Sequence, residues 1–487
     1  MDQKEISIEL LKKVFNNNLD EKFIFDSENL REFSYCEFFN LIINFKKKLV
    51  RLGIKKQDTI CILLPNCLEL VVLYFASLFL NLKIVPIDTE KGNFEIGEII
   101  SNLDYRIIIT NNMNYDFEKM ISIDEFPIQY KNENIDLNEF YNIEPDSVFL
   151  ITFTSGSTGI PKGVMHSFNN LVKSALAFNQ VFSFGATNIF YHNLPMTYMA
   201  GILNLIILPI ISGSKIVLGK RFNISCIGEF WKIPIKYSVN TFWFVPTIIE
   251  ILIKLDRDPS GLEYCKGNKI IGCVGTASLN SFSKIFFEQK YSCHLYESYG
   301  LSETLFVTSN YPNEDEPETI GKILDGVEIK FLRDDEIKIK VPWMFLGYYN
   351  KKIKVSKTEW FSSGDICSVN KNGRYVVTGR KKDMIVRGGA NISPKKIENF
   401  IKNNFKVETV VLGFPEKLMG EKIVCFYKIG SKFDQKHINK EIIIELGKSH
   451  HIDQFFVIPD IPKNLNGKID KPKIREIYNS KNYDFRY

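Results

Sequence analysis

The run Phe149-Leu-Ile-Thr-Phe-Thr154-Ser155-Gly156-Ser157-Thr158-Gly159-Ile160-Pro161-Lys162-Gly163 carries an apolar strand straight into a loop of hydroxyls and glycines that ends on a lysine. Glycines let backbone N–H groups converge on an anion, hydroxyls add donors and the lysine supplies charge, so the pattern predicts a phosphate cradle. The spacing is not G-x-x-x-x-G-K-[ST], so it is not a Walker loop. Other residues have the chemistry to complete such a site, each with a plainer reading beside it. Tyr299, before Gly300, offers a flat face to a purine, or is a core tyrosine. Glu303 offers a carboxylate to Mg²⁺, or is a solvated glutamate. Asp365, after Gly364, offers two oxygens to the two hydroxyls of a ribose, or is an ordinary turn aspartate. Gly275-Thr276-Ala277 is a small-residue turn at the end of an apolar strand. Lys468, behind Gly467, is on its own one lysine among many.

Taken in order, these segments resemble the motifs of the adenylate-forming superfamily: the acyl- and aryl-CoA synthetases, the adenylation domains of peptide synthetases and firefly luciferase. Thr154 to Gly163 is similar to that family's phosphate loop, and Tyr299-Gly300-Leu301-Ser302-Glu303 to its aromatic-Gly-x-Ser/Thr-Glu motif. Ser363-Gly364-Asp365 resembles Thr-Gly-Asp, Gly379-Arg380 through Glu398 resembles the hinge with its Gly-rich sequel, and Pro462 to Lys468 the C-terminal lysine motif. The resemblance runs from about Pro65 to Lys468. It implies that ATP is held by Thr154, Ser155, Gly156, Ser157, Thr158, Gly159 and Lys162, by Gly275, Thr276 and Ala277, by Tyr299, and by Asp365 and Arg380. Glu303 is then the Mg²⁺ carboxylate, Ser302 the hydroxyl on the phosphate, Lys382 the hinge, and Lys468 the catalytic lysine that serves adenylation.

Two departures bear on the acid. Tyr198, in Leu194-Pro195-Met196-Thr197-Tyr198, stands where acyl-CoA synthetases often carry a histidine, and no Asp is present in this region to hold a substrate amine, which argues against an amino acid. The expected acyl pocket is Tyr198, Met199, Phe244, Val245, Thr276, Tyr296 and Glu297, a mixed aromatic and polar set suited to medium acyl or aryl acids. The implied reaction forms an acyl-adenylate from a small carboxylic acid and ATP·Mg²⁺, then passes the acyl group to a thiol. CoA is the expected acceptor, with an acyl carrier protein's phosphopantetheine as the alternative. A nucleotide-binding regulator without catalysis is the reading from another class, and the presence of Lys162, Glu303 and Lys468 speaks against it.

The elements that must position these residues alternate. Ser34 to Leu52 reads as an amphipathic helix with capping-box spacing at Ser34 and Glu37, stopped by Gly53. Thr59–Leu64, Lys83–Ile87 and Asp104–Ile109 read as strands around a helix at Leu68–Leu80. The rhythm returns as strand Phe242–Val245, helix Pro246–Leu255 and strand Lys269–Val274. This predicts parallel α/β layers. From about Glu328 the segments shorten into an antiparallel β region, and beyond Lys381–Asp383 a compact α+β pattern follows. The expected architecture is α/β: a large N-terminal domain with parallel sheets, residues 1–380, and a small mobile α+β domain, residues 381–487, with ligand at the ends of the parallel strands and in the cleft between domains.

Composition fits an enzyme of this kind. A chain of 487 residues with 45% hydrophobic and 24% charged residues is an ordinary globular protein, not a disordered or collagenous one. A net charge of +5 is too weak to argue for nucleic acid. Nine scattered cysteines contain no C-x-x-C, which signals neither a zinc knuckle nor a redox pair and suits a reducing cytoplasm. The apolar runs Leu70–Val85 and Met199–Ile211 are interrupted and short of the ~20 residues a bilayer requires, so they predict buried core elements and no stable membrane span.

Overall fold

The helix Tyr35–Arg51 begins where the sequence places it: Ser34 Oγ accepts from Glu37 N–H at 3.2 Å, and the Glu37 carboxylate accepts from Ser34 N–H at 2.6 Å. Phe38, Leu41, Ile42, Phe45 and Leu49 form its buried face, and Gly53, at φ +77°, ends it in a conformation that glycine adopts without penalty. The structure is a computed structural model that describes residues 6–129, 135–154, 161–312, 314, 316–350, 358–387, 390–416, 418–430, 434–463 and 468–483.

The chain divides into two compact units. The first comprises Met1–Pro317, Gly321–Glu328 and Ile339–Phe361; the second comprises Glu318–Ile320, Ile329–Lys338 and Ser362–Tyr487.

Two sheets organise the first unit. One has seven strands in the order Gly347–Tyr348, Lys162–Ser167, Val148–Thr154, Lys83–Pro86, Thr59–Leu63, Ile107–Thr110 and Met120–Ser122. Its central pairs are parallel, and all five residues of Thr59–Leu63 are buried, as a strand covered on both faces requires. The strand expected from Asp104 starts only at Ile107; Asp104 and Tyr105 lead into it. The other sheet has nine strands, with Leu295–Leu301, Ile271–Val274, Thr241–Phe244, Ile189–His192 and Lys215–Leu218 as consecutive parallel neighbours. The helix Pro246–Leu255 has the predicted bounds. The apolar run after Met199 is a buried π-helix, Ala200–Ile207, continued by the α-helix Leu208–Ser212. Among the described residues no helix is long and apolar enough to cross a membrane.

The second unit is built on the hairpin Thr409–Glu416 and Gly420–Lys428, joined by the parallel strand Gln454–Ile458. Alternation along it separates two cores. Val411, Ile423 and Cys425 pack with Ile397, Ile401, Ile438 and Ile442, while Val410, Leu412, Val424 and Phe426 pack with Ile474 and Tyr478. The strands Phe361–Val369 and Tyr375–Arg380 form a second antiparallel pair.

Candidate active site

The strand Val148–Thr154 and the strand Lys162–Ser167 are antiparallel partners, with Thr154 opposite Lys162. The hydroxyl–glycine loop therefore spans the tip of a hairpin, and the sequence alone did not give this strand after the loop. Ser155, Gly156, Ser157, Thr158 and Gly159 lie outside the described residues. Gly163 is the residue that the packing admits: a Cβ there would stand 3.0 Å from Tyr349 Cβ and 3.1 Å from Ile151. Tyr349, whose N–H donates to Gly163 O at 2.7 Å, directly follows the short strand Gly347–Tyr348, which pairs with the Lys162 strand on its other edge.

That short strand brings three groups together. The Tyr348 hydroxyl donates to Glu303 Oε1 at 2.7 Å, and the Lys162 ammonium lies 5.8 Å from the centroid of the Tyr348 ring. Burial, and then the Glu303 charge, pushes the Tyr348 hydroxyl well above its ordinary range, so it remains a donor. Among the described residues Glu303 Oε2 and Lys162 Nζ have no hydrogen bond or ion pair.

Glu303 itself sits in the turn of a second hairpin. Gly300 must be glycine, because a Cβ would fall 1.9 Å from the Leu305 carbonyl. The three carbonyls of the turn are each held from another segment. His166 Nε2–H donates to Ser302 O at 2.6 Å, Phe345 N–H to Glu303 O at 3.0 Å, and Trp343 Nε1–H to Thr304 O at 2.8 Å. Ser302 and Glu303 are thus fixed through their backbone while their side chains stay half-buried. Tyr299 is half-buried two residues upstream of Leu301, in the strand Leu295–Leu301.

Glu303 fits the Mg²⁺ that the motif implies. The described residues contain no cluster of three or more acidic, His or Cys side chains that could cage a metal. Mg²⁺ does not need one: it takes one or two carboxylates and completes its shell with water and substrate phosphates. Among the described residues, one oriented carboxylate whose second oxygen accepts no hydrogen bond, and a lysine that pairs with no carboxylate, supply that.

Asp365 and Arg380 are also brought together, within the second unit. They are opposite one another on the paired strands, and Arg380 Nε meets Asp365 Oδ1 at 2.7 Å. Asp365 is buried, held also by its N–H on Ser363 Oγ at 3.0 Å, so the serine that replaces threonine keeps the hydroxyl's local bond. Lys382 is exposed in a 3₁₀ turn, Lys381–Asp383. Its neighbours are anchored: Lys381 pairs with Asp334 and Glu336, each at 2.8 Å, and Asp383 with Lys471 at 2.7 Å. Lys468 is exposed, next to Ile469, which forms an isolated antiparallel bridge with Lys463. Gly388, Gly389 and Gly467 lie outside the described residues.

The acyl-pocket candidates do not share one face. Phe244, Val274 and Glu297 are in register across three strands, as are Trp243, Cys273 and Tyr296, and strand alternation sends the two rows to opposite sides. Phe244 is committed to a core of aromatic rings, 5.4 Å from Phe242 and 5.1 Å from Phe287. Glu297 is buried and takes Leu279 N–H at 3.1 Å. Tyr296 lies against Phe182 on the other side, at 5.5 Å. Val245 is half-buried at the start of the helix Pro246–Leu255. Gly275 lies close to Trp243, which leaves little room for a side chain. Thr276 follows with φ +73°, left-handed backbone that costs a β-branched residue on the order of 1–3 kcal/mol and recurs at ligand sites. Ala277 is exposed.

Tyr198 and Met199 enter the π-helix from a pinned turn. Asn66 accepts from Met196 N–H at 2.9 Å and donates to Leu194 O at 2.7 Å, and His192 Nε2–H donates to Gly201 O at 3.0 Å. A Cβ on Gly201 would fall 2.0 Å from Pro195 O. π-Helical turns occur often at functional sites.

Burial holds His166 and His192 neutral, with pKa lowered from 6.5 to about 4. In the unfolded chain they bind protons below about 6.5, so stability is full above that pH and is lost as pH falls toward 4. Each contributes a slope of about 1.4 kcal/mol per pH unit in that window. Urea unfolding at pH 7.5, 6.0 and 5.0 should show this loss, and His166→Asn and His192→Asn should each flatten it; an unchanged slope in both variants contradicts neutral burial.

The family model described as AMP-binding enzyme matches residues 12–349. A sulfoacetate–CoA ligase of Cupriavidus necator is 25% identical over 352 residues, covering 68% of this chain and 67% of its own. A 2-succinylbenzoate–CoA ligase of Oceanobacillus iheyensis is 24% identical over 484 residues, covering 92% and 95%. The crystal structure of ATP-bound MatB from Rhodopseudomonas palustris superposes with a TM-score of 0.85 at 22% identity, over 98% of this chain and 99% of that one, which establishes a common fold.

Proposed function

Because this chain belongs to the AMP-binding enzyme family, we propose that it activates a small carboxylic acid with ATP and transfers the acyl group to the thiol of CoA. In the first half a carboxylate oxygen attacks the α-phosphorus and pyrophosphate leaves. In the second the thiol attacks the acyl carbon and AMP leaves. The observation that carries this reading is the Lys162–Tyr348–Glu303 cluster where the hydroxyl–glycine loop meets its return strand.

The roles follow from charge and reach. Lys162, Thr154 and the loop from Ser155 to Gly159 bind phosphate, with the Ser302 hydroxyl beside them. Glu303 holds Mg²⁺, which when bound neutralises phosphate charge during the displacement. Tyr299 and the turn Gly275-Thr276-Ala277 receive the base, and Asp365 with Arg380 receives the ribose. Tyr198, Val245 and Tyr296 line the acid, whereas Phe244 and Glu297 support the site from the opposite sheet face. Lys468 serves the first half-reaction and leaves for the second by rotation at Lys382. The acid is drawn from the sulfonated and aryl-dicarboxylic classes in the relatives' names and from the medium acyl acids that the pocket candidates suit.

The test is AMP release from ATP, Mg²⁺ and CoA across a panel of these acids, with a phosphopantetheinylated carrier protein as the second acceptor. One acid class should give AMP and acyl-CoA in equal amounts; acid-independent AMP, or none with any acid or acceptor, overturns the proposal.

The hinge role gives a separate expectation. Proline fixes φ near about −65°, so Lys382→Pro should keep pyrophosphate exchange within about threefold and slow thioester formation more than about tenfold. Both are measured on one preparation, and equal effects on the two contradict a pivot at Lys382.

A further inference from the structure

We propose that Tyr348 is a positioning residue that holds the Lys162 ammonium and the Glu303 carboxylate apart and turns one carboxylate oxygen toward the metal–nucleotide. The inference rests on the reading of Glu303 as the Mg²⁺ carboxylate. Tyr348 is opposite Val164, two residues along the strand from Lys162, so the lysine is its diagonal neighbour and reaches over its ring. The hydroxyl at the far end of the same ring reaches Glu303 Oε1. A lysine on one hairpin and a glutamate in the turn of another, brought to the same tyrosine with nothing else between them, would pair in the free protein. That pair would have to break before either charge met its own ligand.

The tyrosine removes the conflict. Its ring face accommodates the ammonium without neutralising it, and its hydroxyl satisfies one carboxylate oxygen without carrying a charge. Glu303 Oε2 is left for the cation and Lys162 for phosphate. The turn's three backbone anchors mean that the carboxylate has little freedom except at its own side-chain torsions, and these are what the hydroxyl restrains.

The test is equilibrium binding of ATP by calorimetry, with Mg²⁺ and with EDTA. Tyr348→Phe keeps the ring and loses the hydroxyl. It should raise the Kd for Mg²⁺·ATP about tenfold, the scale of one hydrogen bond to a charged group, and leave Mg²⁺-free ATP within about twofold. In a Glu303→Gln background the same change should alter the Mg²⁺·ATP Kd less than about twofold. Tyr348→Leu removes the spacer as well and should also weaken Mg²⁺-free ATP, because Lys162 then pairs with Glu303. Equal weakening by Tyr348→Phe with and without Mg²⁺, or no weakening, overturns the positioning role. Unchanged Mg²⁺-free binding in Tyr348→Leu overturns the spacer role. A Glu303→Gln protein with intact Mg²⁺ dependence removes the metal assignment instead, whatever Tyr348→Phe does.

Discussion

Lys468→Ala lowers ATP–pyrophosphate exchange by about 10²–10³-fold, the effect of losing one preorganised donor at a developing charge, and leaves thioester formation from a supplied acyl-adenylate within about threefold. The attack of a carboxylate on an α-phosphorus brings negative charge onto negative charge, and catalysis is mostly positioning and neutralisation. Lys468 is suited to supply that charge on demand. It is exposed, and it precedes Ile469, which forms an isolated antiparallel bridge with Lys463. The second half-reaction expels AMP from an acyl carbon and places no comparable demand on this lysine. Exchange and single-turnover thioester assays on the same protein check the split; comparable losses in both contradict the role.

Glu303→Gln produces the second large effect, a loss of exchange of about 10–100-fold at low Mg²⁺ that is partly relieved as Mg²⁺ is raised. The substitution is close to isosteric. The amide oxygen still accepts from Tyr348, and the backbone anchors from His166, Phe345 and Trp343 are untouched, so the turn should keep its shape. What is lost is the formal charge that a hard cation requires. Titration of exchange against Mg²⁺ reads it: the half-saturating concentration should rise several-fold. An unaltered Mg²⁺ curve shows that Glu303 does not hold the metal.

Local chemistry was the legible part of this protein. The helix behind Ser34, the helix Pro246–Leu255 and the core strands announced themselves because cap, period and burial act within a few residues. The phosphate loop was legible as a composition, yet its return strand was not, since a strand with Lys162, His166 and Ser167 has no apolar run to mark it. Tyr348, His166 and Trp343 were missed for a different reason. Each acts on a residue 39 or more positions away, and nothing near Tyr348 separates it from the other tyrosines among 21. The pocket list failed to allow for alternation: Tyr296 and Glu297 are adjacent in sequence and therefore face opposite sides of their sheet. The π-helix after Tyr198 was read only as a buried apolar run, because its extra residue per turn has no signature in hydropathy.

The central claim is that the acid passes through an adenylate, and an isotope decides it. When the carboxylate oxygen attacks the α-phosphorus, it becomes the bridge of the mixed anhydride and stays with AMP when the thiol takes the acyl carbon. With the accepted acid labelled with ¹⁸O in both carboxylate oxygens, mass spectrometry should find one ¹⁸O in each AMP, one in each thioester and none in pyrophosphate. Label appearing in orthophosphate with ADP as the coproduct, or AMP released without label, contradicts the account.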